Sequence, residues 1–155
     1  DTYTVKAGDK VVELSGQGGD TVRTAVNNYA LPANVEGLFI TGTDANGVFG
    51  NALANAITGN GAANRLNGRG GNDILTGGAG NDTFVIGKGQ GHDVILDFQG
   101  AGAASGDKLL FSGFGSGATL SHVGDDWAIR AADGSVTHVT IENVTGLIAS
   151  DYVFG

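Results

Sequence analysis

The chain has 155 residues, no cysteine, 29 glycines and a formal net charge of -8. This length predicts a single domain, and an acidic chain with only 8 Lys and Arg residues is unsuited to binding nucleic acid. No apolar run approaches the ~18 residues that a membrane-spanning helix needs, so no membrane span is predicted.

The first 34 residues carry an irregular glycine-rich repeat. Residues 15–23 read SGQGGDTVR, in which Asp20 follows the glycines. Residues 24–34 show no clear period and predict a short irregular or helical link that Pro32 ends. A strand before the repeat is predicted at three apolar residues, Val11, Val12 and Leu14.

From residue 38 onward, large apolar residues recur every nine positions. They are Val48, Ile57, Leu66, Leu75 and Phe84. The residue two positions before each of them is Asn in the first three repeats and Asp in the next two: Asn46, Asn55, Asn64, Asp73 and Asp82. Because an amide brings no charge, residues 35–67 are interpreted as a repeat without tightly bound metal, held by amide ladders. A weak metal site at Asn64 is the alternative.

Two successive motifs, GRGGNDILT (68–76) and GGAGNDTFV (77–85), follow the pattern G-G-x-G-x-D-x-U-x, where U is a large apolar residue. Arg69 is the one departure. Glycine allows positive φ, so the six-residue turn can direct carbonyl oxygens to one place, and the Asp adds a charged oxygen ligand. Such oxygen sets suit Ca²⁺, which takes six to eight of them. The segment resembles the RTX repeats of type I secreted bacterial proteins.

The resemblance implies an all-β fold: a parallel β-roll or β-helix in which two nonapeptides complete one coil. Loops 18 residues apart then stack on the same edge, about 4.8 Å apart. Carboxylates at that separation repel each other unless a cation lies between them. Calcium is therefore expected to be structural.

The repeat lengthens after Phe84. Residues 88–96, KGQGHDVIL, place Asp93 where it should return to the edge of Asp73. Residues 95–111 resemble the segment that closes many RTX rolls and carry Asp97 and Asp107, expected at the edge of Asp82, although an AGAAS insertion at 101–105 departs from the family spacing. For about two or three calcium ions, the predicted ligands are Gly68, Gly70, Asp73, Gly89, Gly91 and Asp93 on one edge, and Gly77, Ala79, Asp82, Asp97 and Asp107 on the other.

Beyond residue 109 apolar and polar residues alternate between turn signals, which predicts a small antiparallel capping sheet. Trp127 is assigned to the core of this cap, with a binding platform as the alternative. The final IASDYVFG resembles the secretion-signal end of type I substrates, and an ordinary last strand is the alternative. One structural domain is expected, divided into relaxed repeats and cap (1–34), a β-roll (35–107, Asn-type at 35–67 and calcium-binding at 68–107) and a C-terminal β cap with the signal-like tail (108–155).

No catalytic motif is present, so the chain is interpreted as a non-catalytic module. The opening DTYTV echoes DTFVI at 82–86, which suggests a start within a repeat and an enzyme or toxin domain upstream. The resemblance implies a secreted, extracellular bacterial protein that uses the type I secretion machinery and folds on binding calcium.

The alternative function is binding of an anionic polysaccharide, because the chain is also similar to the R-modules of alginate epimerases. Arg65, Arg69 and Lys88 could form a patch for uronate carboxylates. Charge balance beside the Asp rows is the other interpretation of these three residues.

Overall fold

The computed structural model describes residues 1–100 and 105–155, and the regular structure in these ranges is entirely β. The AGAAS insertion lies outside the described residues except for Ser105. No helix long and apolar enough to cross a membrane occurs in the described part of the chain. The strands are β1 (Thr2–Val5), β2 (Thr21–Thr24), β3 (Tyr29–Ala30), β4 (Gly37–Ile40), β5 (Gly47–Phe49), β6 (Ala56–Thr58), β7 (Arg65–Asn67), β8 (Ile74–Thr76), β9 (Thr83–Gly87), β10 (His92–Ile95), β11 (Lys108–Ser112), β12 (Thr119–Val123), β13 (Asp126–Arg130), β14 (Val136–Ile141) and β15 (Tyr152–Phe154).

The strands form two sheets that face each other. Sheet A has nine strands in the order β1-β2-β4-β6-β8-β10-β14-β13-β12, and sheet B has six in the order β15-β11-β9-β7-β5-β3. From β4 to β11 consecutive strands alternate between the sheets, and each strand from β4 to β9 pairs in parallel with the strand two places later. The predicted parallel β-roll is confirmed.

The nine-residue period places one apolar side chain per strand between the sheets. Ile57 is the register partner of Leu75 in sheet A, and Leu66 is that of Phe84 in sheet B. All four side chains are at most 1% exposed. Burying each contributes about 1.5–3 kcal/mol. From β5 to β8 the coil is therefore held by a narrow core, one residue wide on each strand.

The C-terminal part combines parallel and antiparallel pairing. Strand β11 pairs in parallel with β9, and β14 with β10, so the parallel pairing continues past residue 107. Strands β12 and β13 add to β14 in antiparallel fashion, which confirms the predicted antiparallel strands. Trp127 is buried among them, with the His122 ring stacked on it at 4.2 Å. Strand β15 pairs with β11, so the chain's last residues are part of sheet B.

The N-terminal segment differs from one expectation. Residues 6–20 contain no strand, so the strand predicted at residues 11–14 is wrong. Val12 and Leu14 are 82% and 66% exposed. The reason is that β1 occupies the place beside β2, which leaves this apolar run without a partner strand. The link at 24–34 contains the short β3 rather than a helix.

Candidate metal centre

The loops that join the sheets stack in two rows. The first edge contains the loops that lead from sheet B to sheet A: residues 50–55, 68–73 and 88–91. The second edge contains those that lead from sheet A to sheet B: residues 59–64, 77–82 and the described parts of 96–107. Each row thus collects the sixth-position residues of alternate repeats.

On the first edge the structure brings Asp73 and Asp93 together, as the spacing predicted. Asp93 Oδ1 accepts a hydrogen bond from the Asp73 backbone N–H at 3.1 Å, and Asp73 Oδ1 accepts one from Asn55 at 2.8 Å. The two acids are 0% and 3% exposed. Asp73 Oδ2 is shielded from solvent and has no hydrogen-bond partner among the described residues. This edge therefore holds a buried carboxylate oxygen that lacks a positive or hydrogen-bonding partner.

The second edge repeats this arrangement one strand later. Asp82 Oδ1 accepts a hydrogen bond from the Asn64 N–H at 2.7 Å, and Asp107 Oδ1 accepts one from Asp82 at 2.8 Å. Within the described ranges Asp82 Oδ2 is likewise buried without a partner. Asp97 reaches the same edge, where its two oxygens accept the backbone N–H groups of Gly77 and Gly78, both at 2.8 Å.

Burial makes these carboxylates reluctant to ionise. Desolvation, together with the nearby Asp73 charge, raises the pKa of Asp93 to about 7. Desolvation also raises the pKa of Asp73 and of Asp82 to about 6. It raises the pKa of Asp107 in the same direction. Burial and like charges both disfavour the ionised forms of these carboxylates. A cation at either edge would therefore stabilise the ionised carboxylates.

The first-position glycines leave room beside the unpartnered oxygens. A Cβ on Gly68 would lie 1.9 Å from Asp73 Oδ2, and one on Gly77 would lie 2.3 Å from Asp82 Oδ2. Loop-on-loop packing is equally tight, since a Cβ on Gly91 would lie 1.7 Å from the Gly71 carbonyl oxygen. A side chain at residue 68 or 77 would displace a carboxylate, and one at residue 91 would displace the neighbouring loop, so the turns require glycine.

The remaining predicted ligands lie farther along the turns. Gly70 donates its N–H to the Asn51 carbonyl oxygen at 3.1 Å, and Gly89 donates its N–H to Thr137 Oγ1 at 3.0 Å. Ala79 is exposed on its loop. The donor set is made of carboxylates and backbone carbonyls without nitrogen or sulfur, which is the chemistry that Ca²⁺ prefers. These residues fit a calcium ion, and their individual ligand roles stay predictions.

The side-chain amides of the Asn repeats form hydrogen bonds within the chain and need no ion. Asn55 Oδ1 accepts the N–H of Asn51, and Asn64 Oδ1 accepts that of Asn60, both at 2.8 Å and within the same loop. The amide NH₂ of Asn55 also donates to the Val35 carbonyl oxygen at 3.1 Å. An amide can both donate and accept, whereas an ionised carboxylate only accepts. The Asn loops are therefore closed by hydrogen bonds where the Asp loops keep an oxygen unpartnered.

The three cations assigned to a glycan patch have different surroundings. Arg65 is exposed on β7, and the Arg69 guanidinium lies over the Phe49 ring at 5.1 Å from its centroid. Lys88 forms an ion pair with Asp133. One of the three charges is thus neutralised within the chain, and uronate binding stays a prediction.

One acidic group was missed by the sequence reasoning. Carboxylate oxygens of Asp1, Glu13 and Asp20 lie within 4.8 Å of one another. Asp20 begins the first edge, and its N–H donates to Glu36 Oε2 at 2.9 Å. The relaxed repeat at 15–23 pointed to Asp20, but Glu13 falls outside any repeat and carried no signal.

One comparison with known protein families bears on the repeats. A protein-family model described as the RTX calcium-binding nonapeptide repeat (4 copies) matches residues 49–84. The chain has no match among curated proteins. Among solved structures it is similar to the extracellular lipase LipA from Serratia marcescens, with a TM-score of 0.32 and 21% identity over 78% of this chain. The match spans 18% of the length of that lipase.

Proposed function

Residues 49–84 are RTX calcium-binding nonapeptide repeats, and from this premise we propose that the chain is a calcium-folded module of a secreted bacterial protein. The observation that carries the proposal is the pair of buried, unpartnered carboxylate oxygens, Asp73 Oδ2 and Asp82 Oδ2. A buried charge of this kind is strongly destabilising unless a counter-ion accompanies it. Calcium supplies that counter-charge.

About two or three calcium ions would bind, because each of the two edges stacks loops that bring oxygen ligands together. On the first edge Asp73 and Asp93 would hold the ion, helped by the carbonyl oxygens of residues 68, 70, 89 and 91. On the second edge Asp82, Asp97 and Asp107 would do so, with the carbonyl oxygens of residues 77 and 79. The ion neutralises the stacked carboxylates and links each loop to the loop of the next coil.

The energetics favour coupling of folding to binding. Ordering the nine residues of a repeat costs backbone entropy, whereas each repeat between residues 50 and 76 buries a single large apolar side chain. Hydrogen bonds and backbone burial offset part of the entropy cost. The buried carboxylates, whose pKa values are raised, add to the free-energy cost of folding. The binding energy of calcium is therefore part of the folding energy of this segment.

This coupling suits export. Extracellular calcium modules work at about 10⁻⁴–10⁻³ M calcium, so a chain kept unfolded where calcium is scarce would fold once outside the cell. The type I secretion machinery is the corresponding partner. The C-terminal residues can act as the export signal before they form β15. The module itself is non-catalytic and would serve an enzyme or toxin domain upstream.

Circular dichroism with and without calcium tests the proposal. In metal-free buffer at neutral pH we expect at least residues 59–111 to lose their β structure, and calcium to restore it with a stoichiometry of about two or three. Magnesium is the matched control, because it demands a smaller octahedral site and should not restore the fold. An unchanged spectrum and melting temperature after calcium removal would refute the coupling.

A further inference from the structure

We propose that His92, Asp126 and His138 form a second metal site, on the outer face of sheet A, that takes a divalent transition cation such as Zn²⁺. The three residues lie on adjacent strands. His92 on β10 and His138 on β14 are direct register partners, and Asp126 on β13 is the register partner of Thr140 on β14. The site is thus built on paired strands and not on a loop, which fixes the backbone of every ligand.

Both histidine rings face the Asp126 carboxylate. His138 Nδ1 lies 2.9 Å from Asp126 Oδ2, and His92 Nε2 lies 3.5 Å from Asp126 Oδ1. Each ring therefore faces a different oxygen of the same carboxylate. Asp126 Oδ1 is shielded from solvent and has no hydrogen-bond partner in the described ranges. An ion among these three groups would complete the environment of that oxygen.

The ring separation fits one shared ion. Zinc binds a histidine nitrogen at about 2.0–2.1 Å, so a bound ring has its centroid about 3.2 Å from the metal, and two rings at a tetrahedral angle have centroids about 5.2 Å apart. The centroids of His92 and His138 are 5.8 Å apart and the rings are tilted by 45°. The two histidine side chains are 47% and 44% exposed, so the rings have room on the solvent side for the rotation that would bring their nitrogens to one ion.

The chemistry of the cluster separates it from the calcium edges. Imidazole nitrogen suits zinc, copper and nickel, whereas calcium takes oxygen ligands. Three protein ligands leave a position for water, which the half-exposed surface can supply. His92 Nε2 now contacts Thr140 Oγ1 at 2.9 Å, and metal binding would replace this contact. The ion would tie the antiparallel strands β13 and β14 to β10 of the roll.

Calorimetric titration of the whole chain with Zn²⁺ tests the proposal, in saturating calcium so that the Asp edges are filled. We expect one zinc ion per chain, and visible absorption of a nitrogen-ligated complex when Co²⁺ replaces it. His92→Ala and His138→Ala should each weaken zinc binding by at least about tenfold, the smallest loss usual even for outer-shell partners.

His122→Ala is the matched control, because the His122 ring stacks on Trp127 and its Nδ1 faces the Gly124 carbonyl oxygen, so its removal should leave zinc affinity unchanged. His92→Asn and His138→Asn serve as second variants whose circular dichroism in calcium should equal that of the parent. Absence of zinc binding by the parent chain would overturn the proposal. Equal affinity in the parent, His92→Ala and His138→Ala would do the same.

Discussion

The first-position glycines make the calcium centre testable with a single methyl group. In Gly68→Ala the added Cβ would lie 1.9 Å from Asp73 Oδ2, although the backbone of residue 68 is outside the left-handed region. Ordinary contact begins at 3.4 Å, so the carboxylate must retreat by about 1.5 Å. That movement would break the 2.8 Å hydrogen bond from the Asn55 N–H to Asp73 Oδ1.

Two costs follow from this displacement. Leaving the buried Asn55 N–H unsatisfied costs about 1–3 kcal/mol, and overpacking costs about 1–3 kcal/mol more. The expected loss in the free energy of unfolding is therefore about 2–6 kcal/mol in calcium, a large part of the 5–15 kcal/mol typical of a domain. Urea denaturation followed by circular dichroism in saturating calcium measures it. A calorimetric calcium titration should show one ion fewer.

Gly70→Ala is the matched control in the same loop. The nearest atom to its added Cβ would be the Ala52 Cα at 3.7 Å, and its backbone is also outside the left-handed region. This substitution should change stability by less than about 0.5 kcal/mol, or raise it slightly. Equal stability and equal calcium stoichiometry in the two variants would refute this prediction, because Gly68 would then be unrelated to the position of the carboxylate.

Three further outcomes are expected. Asp73→Ala should lose a bound calcium ion, whereas Asn55→Ala in the preceding loop should keep the calcium stoichiometry and cost about 1 kcal/mol of lost hydrogen bonds. Equal losses of calcium in a titration of the two variants would contradict this assignment of the ligands. Because the folded-state pKa values of Asp73 and Asp93 are raised to about 6 and about 7, the native state binds more protons, so without calcium the melting temperature should rise as the pH falls from 7 towards 4. With saturating calcium the melting temperature should fall over the same range, since protons compete with the ion. If the melting temperature changes with pH in the same direction with and without calcium, Asp73 and Asp93 are not calcium ligands. Finally, if uronates bind, the double substitution Arg65→Gln and Arg69→Gln should abolish the heat of alginate binding in calorimetry, and absence of binding by the parent would end that hypothesis.

The repeat-derived part of the fold could be predicted from the sequence because each coil contacts only its neighbours. One apolar residue every nine positions was sufficient to place Ile57, Leu66 and Leu75 in the core. The proximity of Asp73 and Asp93 was also predicted, although 20 residues separate them instead of 18. The longer loop does not change this proximity, because the strand register sets the pairing.

Features that depend on non-repeating contacts could not be predicted. The apolar run at Val12 and Leu14 resembled a strand, but a strand needs a partner, and sequence does not show that the place beside β2 is taken. The proximity of His92 to Asp126 depends on β14 pairing with β10. Alternation predicts that β14 is a strand and gives no information on its neighbour. Clusters formed across such pairings are visible only in three dimensions.

The 18-residue spacing has a consequence for how genes of such chains can change in length. The hydrogen bonds from Asn55 to Asp73 and from Asn64 to Asp82 both span 18 residues. A duplication or deletion of 18 residues in this array adds or removes one strand in each sheet and preserves every downstream pairing. One of nine residues transfers each later strand to the opposite sheet, β10 and β14 together, so these strands would then extend the sheet that contains β5 and β7. Length changes of eighteen residues therefore keep the C-terminal strands in the sheets they occupy now, whereas changes of nine exchange the two sheets, although the visible sequence repeat is nine.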